Sequence, residues 1–158
     1  MARKFVLALA GVVAAMAALI AIPSLNQPPQ EALSIEYSRQ NVTRTDQGLV
    51  TQSAELLSIA QDGSATYTQA GGQERRIPLS GEELGRIRGL ILETGFMQIS
   101  ATNYPQSDNA TDFTKYTLRV STDEGQKTFN WVSPGAHRGV IPPIITNVGS
   151  QLDAIMDR

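Results

Sequence analysis

From Phe5 to Ile22 the chain runs through small and apolar residues without a single charge, and this stretch constrains what the rest can be. As a helix it would span about 27 Å at 1.5 Å per residue, against a hydrocarbon core of about 30 Å. A helix in a globular core shows a polar face, and this one has none, so a membrane segment is the expected use. Arg3 and Lys4 precede it and no cation closely follows. The positive-inside bias then puts Met1 in the cytoplasm and everything beyond Pro23 outside. A cleavable signal needs small residues at −3 and −1. Leu19-Ile20-Ala21 has a bulky −3, and Ala15-Met16-Ala17 fits but leaves a short apolar region. The expectation is an uncleaved signal anchor over 1–22, with cleavage and secretion as the alternative. Pro23, Pro28 and Pro29 among Gln and Asn make 23–33 a stiff polar spacer, leaving 34–158 as the exported domain.

That remainder is long enough to bury one core and too short for two. Removing Arg3 and Lys4 leaves 11 of the 13 basic residues against all 15 acidic ones, a formal net charge of −4. Nucleic-acid binding draws on basic excess to displace counterions, so that partner class is excluded. The chain has no cysteine, which removes disulfides, thiolate nucleophiles and Cys-based metal sites. The domain is held by its core alone.

Ser34 to Arg39 alternates with Ile35 and Tyr37 on one face, the period of a half-buried strand. Leu49 to Ile59 reads as a second strand, and its Leu56-Leu57 pair breaks the alternation, predicting a bulge or a buried end there. Turns at Asp62-Gly63 and Gly71-Gly72 separate strands at Ala65 to Thr68 and Glu74 to Ile77, completing a meander. Ser80 and Glu83 form a capping box opening a helix that Gly95 ends, with Leu84, Ile87, Leu90 and Ile91 on one stripe. Gly85 and Gly89 inside it point to a close backbone approach or to an exposed, tolerant side, the second being favoured. Phe113 to Val120 and Lys127 to Val132 form a hairpin about Asp123-Glu124-Gly125, with Phe129 and Trp131 sharing the core face. After Pro142-Pro143 a last helix sets Ile144, Ile145, Val148, Leu152, Ile155 and Met156 opposite Thr146, Ser150, Asp153 and Asp157. The order predicts an α+β domain, an antiparallel sheet with both helices on one face.

Chemistry-bearing motifs are sparse. His137, the single histidine, sits in a Gly- and Pro-flanked loop and reads as exposed; no nucleophile elbow accompanies it. Asp108 and Asp112 lie in the long loop from Ser100 to Asp112 without calcium-loop spacing, and read as solvated acids. Tyr104 in that loop is either a packing plug or a binding contact, the first being favoured. No phosphate-cradling loop is present. Asn41-Val42-Thr43 and Asn109-Ala110-Thr111 are N-glycosylation sequons in segments that read as loops. No catalytic, cofactor or metal residue is assigned, and an enzyme is not expected.

Four stretches carry a family likeness: Ile77 to Leu84, Glu93-Thr94-Gly95-Phe96, Asp112 to Val120, and Thr128-Phe129-Asn130-Trp131. With the last helix they cover most of the exported domain, and their order resembles emfourin, a small inhibitor of thermolysin-like metalloproteases with exported, archaeal-looking relatives. The resemblance implies an α+β inhibitor fold and a secreted metalloprotease as partner. No protease-contacting residue of that family falls on a matching position, so none is carried over. The apolar N-terminus departs from the soluble inhibitor. The expected function is a membrane-anchored extracytoplasmic protein-binding domain, a metalloprotease inhibitor if the resemblance extends to activity. The alternatives are an accessory envelope domain and, third, an unrecognised hydrolase.

Overall fold

The computed structural model describes residues 31–158. The apolar segment 1–22 and the spacer through residue 30 lie outside the described residues. Among those described, no helix is long and apolar enough to cross a membrane. Six strands form one antiparallel sheet: β1 (Leu33–Thr45), β2 (Gly48–Ile59), β3 (Ala65–Gln69), β4 (Glu74–Ile77), β5 (Asp112–Thr122) and β6 (Gly125–Val132). Their order is β4-β3-β2-β1-β5-β6, so the first strand is central. Helix α1 (Gly81–Leu92) follows β4 and α2 (Pro143–Met156) follows β6.

Strand alternation builds the core directly. Ile35 stands opposite Ile59 and Val120, Tyr37 opposite Leu57 and Leu118, and Leu118 opposite Phe129. All are buried, and Ile87 and Ile91 of α1 join Ile145, Val148 and Leu152 of α2 in the same cluster. Both helices thus bury their stripes against one face of the sheet. Each such side chain contributes about 1.5–3 kcal/mol by leaving water. The box at Ser80 forms as the spacing predicts: its hydroxyl accepts from the Glu83 amide at 3.2 Å while the Glu83 carboxylate accepts from the Ser80 amide at 2.9 Å. Arg86 reaches Glu82 one turn back at 3.0 Å. A methyl at Gly85 would meet open space, which favours the tolerant-side reading.

Several boundaries differ from the sequence expectation. β1 continues six residues beyond Arg39 because β2 and β5 pair it on both sides, which outweighs the polar character of Gln40–Thr45. At Leu56-Leu57 the strand has the buried end and not the bulge: Leu57 and Ile59 are buried while Leu56 points to solvent on the other face. The register shift lies instead at Gln52, where Asn41 pairs with Ser53 but Val42 with Thr51. Helix α1 stops at Leu92 with Glu93 as its cap. Gly95, at φ +77°, lies beyond that cap and turns the chain into the 3₁₀ turn Phe96–Gln98, burying Phe96.

A second, smaller cluster lies on the opposite face. Val42, Phe113 and Val132 have the parity opposite to Tyr37, Leu118 and Trp131, and they pack with Ala136 from the loop after β6. Past Arg39, then, the covered face of the sheet changes sides: the helix-side residue Asn41 is exposed while its neighbour Val42 is buried. The segment from Ser100 to Asp112 is tied to this end. Tyr104 N donates to Asn130 O and Asn130 N to Thr102 O, both at 2.8 Å, and Ser107 N donates to Ala136 O at 2.7 Å. Tyr104 is buried with its hydroxyl on Ala101 O, the packing plug expected.

Candidate functional site

The strand register lines up one row across the sheet: Glu55 beside Arg39, Arg39 beside Tyr116, and Tyr116 beside Trp131. This row marks where the helix layer ends. Arg39 continues the inward parity of Ile35 and Tyr37, so its guanidinium meets α2 rather than water. Nε donates to Glu55 Oε2 at 2.7 Å, Nη2 to Asp157 Oδ1 at 2.9 Å and Nη1 to Asp153 Oδ1 at 3.4 Å. Tyr37, fully buried, donates its hydroxyl to the same Asp153 oxygen at 3.0 Å. Tyr67 donates to Glu55 Oε1 at 2.6 Å, and the Arg75 guanidinium lies 5.1 Å from the Tyr67 ring centre. One cation therefore joins three carboxylates, from β2, from α2 and from the residue that caps α2.

The electrostatics follow the burial. Desolvation raises the Asp153 carboxyl above its ordinary range, against the hydrogen bond from Tyr37 and the charge of Arg39, which lower it. Burial also pushes the Tyr37 and Tyr116 phenols up, with Asp153 adding to both. At Glu55 burial opposes the charge, but bonds from Arg39 and Tyr67 hold its carboxyl below the usual value. Arg39 likewise loses solvation and more than regains it from Asp157 and Glu55.

Beside this network the rings of Tyr37, Tyr116 and Trp131 lie nearly parallel. Tyr116 and Trp131 are 5.3 Å apart at 17°, and Tyr37 and Tyr116 are 6.1 Å apart at 9°. Pro134 and the polar edge of α2, Thr146, Ser150 and Asp153, close them into a cleft of about 100 Å³. Gly149 lets α2 approach, since a methyl there would sit 2.9 Å from Trp131 Cζ2. The expected outer face of α2 is thus not uniformly solvated: Asp153 is half-buried in the cleft wall. The next row outward is hydrogen-bonded and open. Asn41 donates to Ser53 Oγ at 2.9 Å and accepts from Thr114 Oγ1 at 3.1 Å.

Beyond that row the β1–β2 hairpin projects. β3 pairs with β2 only over Glu55–Ile59, so Gly48–Ser53 has one edge without a strand partner among the described residues. Leu49 and Val50 there are 46% and 41% exposed. The turn is held by Thr45, whose hydroxyl donates to Gly48 O and accepts from Gln47 N.

The residues singled out from sequence fall elsewhere. His137 is half-buried rather than exposed, because its Nδ1 lies 2.7 Å from Pro105 O and its ring packs edge-on to Tyr104. Asp108 sits in a turn and Asp112 opens β5 opposite Thr43. Among the described residues no group of three or more His, Cys, Asp or Glu side chains is placed to hold a metal ion. Asn109 lies in a turn as expected, but Asn41 lies in β1, because pairing on both sides extends that strand. Sequence reading missed Arg39, Glu55 and Asp153. The available signals were an arginine at inward parity after Ile35 and Tyr37, and two acids one turn apart at the border of the last apolar stripe. The chain matches no protein-family model and no curated protein.

Proposed function

We propose that the chain is a membrane-anchored extracytoplasmic domain that binds another protein through the tip of its β1–β2 hairpin. The observation that carries this reading is the unpaired β2 edge at Gly48–Ser53 with Leu49 and Val50 exposed on it. Such an edge accepts an extended segment by strand addition, with backbone hydrogen bonds supplying affinity and alternate side chains specificity. The tip lies at the opposite end of β1 from Leu33, where the chain enters the sheet. Twelve residue steps at about 3.3 Å put roughly 40 Å between them. The uncharged run from Phe5 to Ile22 behind Arg3 and Lys4 supports the anchor and its orientation. The motif resemblance to emfourin makes a secreted thermolysin-like metalloprotease the first partner to test.

Titration of the protein against such a protease is expected to abolish activity at one equivalent, and Leu49→Asp with Val50→Asp to weaken that inhibition at least tenfold. Full activity at tenfold excess removes the protease as partner. A photo-crosslinker at Val50 then tests binding itself: no crosslinked envelope protein would leave an accessory envelope role in its place. For location, carbonate washing should leave the protein in the membrane pellet, and protease added to intact cells should digest the domain. A soluble form starting near Ala18 or Pro23 would instead establish a cleaved signal.

A further inference from the structure

We infer that the cleft between the Tyr116–Trp131 pair and α2 is a binding site for a guanidinium or primary ammonium head group. It goes beyond the hairpin reading and stands or falls independently of it. The cleft combines two features that serve a cation together: stacked aromatic rings, whose electron-rich systems attract positive charge, and one carboxylate at the wall. Asp153 Oδ1 already receives Tyr37 and Arg39, whereas Oδ2 has no hydrogen-bond donor among the described residues. That oxygen is left for an incoming N–H, and the exposed hydroxyl edge of Ser150 borders the same space. Arg39 does not line the cleft and is itself paired with Glu55 and Asp157, so a second cation is not repelled on balance.

Size and charge favour a small cation. A cleft of about 100 Å³ encloses a small head group, and a sugar or nucleobase ring would stay largely outside it. An anion would face Asp153 with no donor in excess. A planar guanidinium can stack on Tyr116, the half-exposed ring of the pair, while donating to the carboxylate, which is the geometry this group uses elsewhere. Desolvation raises the Asp153 carboxyl, and the charge of such an occupant would offset it, a consistent secondary sign.

Trp131 is the single tryptophan, so its fluorescence reports on the cleft without labelling. The full chain is titrated with arginine amide, with citrulline amide as the uncharged isostere. A saturable change with arginine amide and none with citrulline amide at the same concentrations is expected. Asp153→Asn should lower the affinity at least tenfold. Because Asp153 also holds Tyr37, that variant can fail to fold, and Ser150→Arg supplies the second arm. Ser150 is exposed, and an arginine there places a resident guanidinium at the cleft mouth, which should abolish the response while circular dichroism stays unchanged. An equal response to citrulline amide, or a response untouched by Ser150→Arg, overturns the site. A peptide with one interior arginine that binds more tightly than arginine amide assigns the head group to a protein side chain; equal affinity assigns it to a free small cation.

Discussion

Arg39 is where the polar and apolar halves of the helix-side face meet, and truncating it would leave Glu55 and Asp153 part-buried without their cation. Arg39→Ala is expected to destabilise the domain by about 2–4 kcal/mol, below the full range for a deeply buried pair because the network is partly solvated. Urea denaturation measures it, and a midpoint within error of wild type would make the network decorative. Two glycines give a paired expectation. Gly149→Ala drives a methyl to 2.9 Å from Trp131 and should cost about 1–3 kcal/mol, whereas Gly85→Ala meets nothing and should gain up to about 1 kcal/mol of helix propensity. Trp131→Ala should cost about 3–5 kcal/mol, since that ring is almost wholly buried in the main core. Its burial was legible from its sharing a strand face with Phe129. The role of Arg39 was not, because an arginine at the end of an alternating run looks like the end of a strand until the acids that receive it are known, Glu55 on the next strand and Asp153 and Asp157 at the far end of the chain.

At the scale of elements, helix α1 was the most legible part, because its signals are local. Ser80 and Glu83 are three residues apart and act on each other. The Glu83 carboxyl is held down to about 2, first by the Arg158 guanidinium and then by the Ser80 backbone and hydroxyl. A carboxyl lowered in the folded state stabilises it above the unfolded value, and the contribution disappears as the pH falls toward the folded one. Glu83→Gln should therefore be less stable than wild type above about pH 5, with the gap closing by about pH 2, as thermal melts across that range would register. A gap that persists at the acid end would assign it to packing instead. Ser80→Ala should cost about 1 kcal/mol. The two hairpins show the reverse case. Thr45-Asp46-Gln47-Gly48 and Thr122-Asp123-Glu124-Gly125 are closed by the same pair of threonine hydroxyl bonds, yet only the second was read as a turn. The strand leading to the first is polar, and its extension depends on partners that no local pattern announces.

For the molecule as a whole, alternation and helical stripes were enough for the α+β class, the meander and the second hairpin, because one face of each element meets one core. They were blind to the smaller core on the other face, since Val42, Phe113 and Val132 are lone apolar residues at out-of-phase positions. Residues 32–158 make a compact unit. A chain starting at Ala32 is expected to unfold in a single cooperative transition by both Trp131 fluorescence and circular dichroism, and non-coincident curves would show that it does not stand alone. The central place of β1 also governs how the sheet is made. Its partner on one side, β2, follows at once, but its partner on the other, β5, comes about 70 to 90 residues later. A ribosome adding about 5–20 residues per second delivers that strand roughly 4 to 18 seconds after β1 has emerged. Until the second hairpin arrives, the side of β1 from Leu33 to Thr43 lacks its native partner, a row of backbone donors and acceptors open to any other strand.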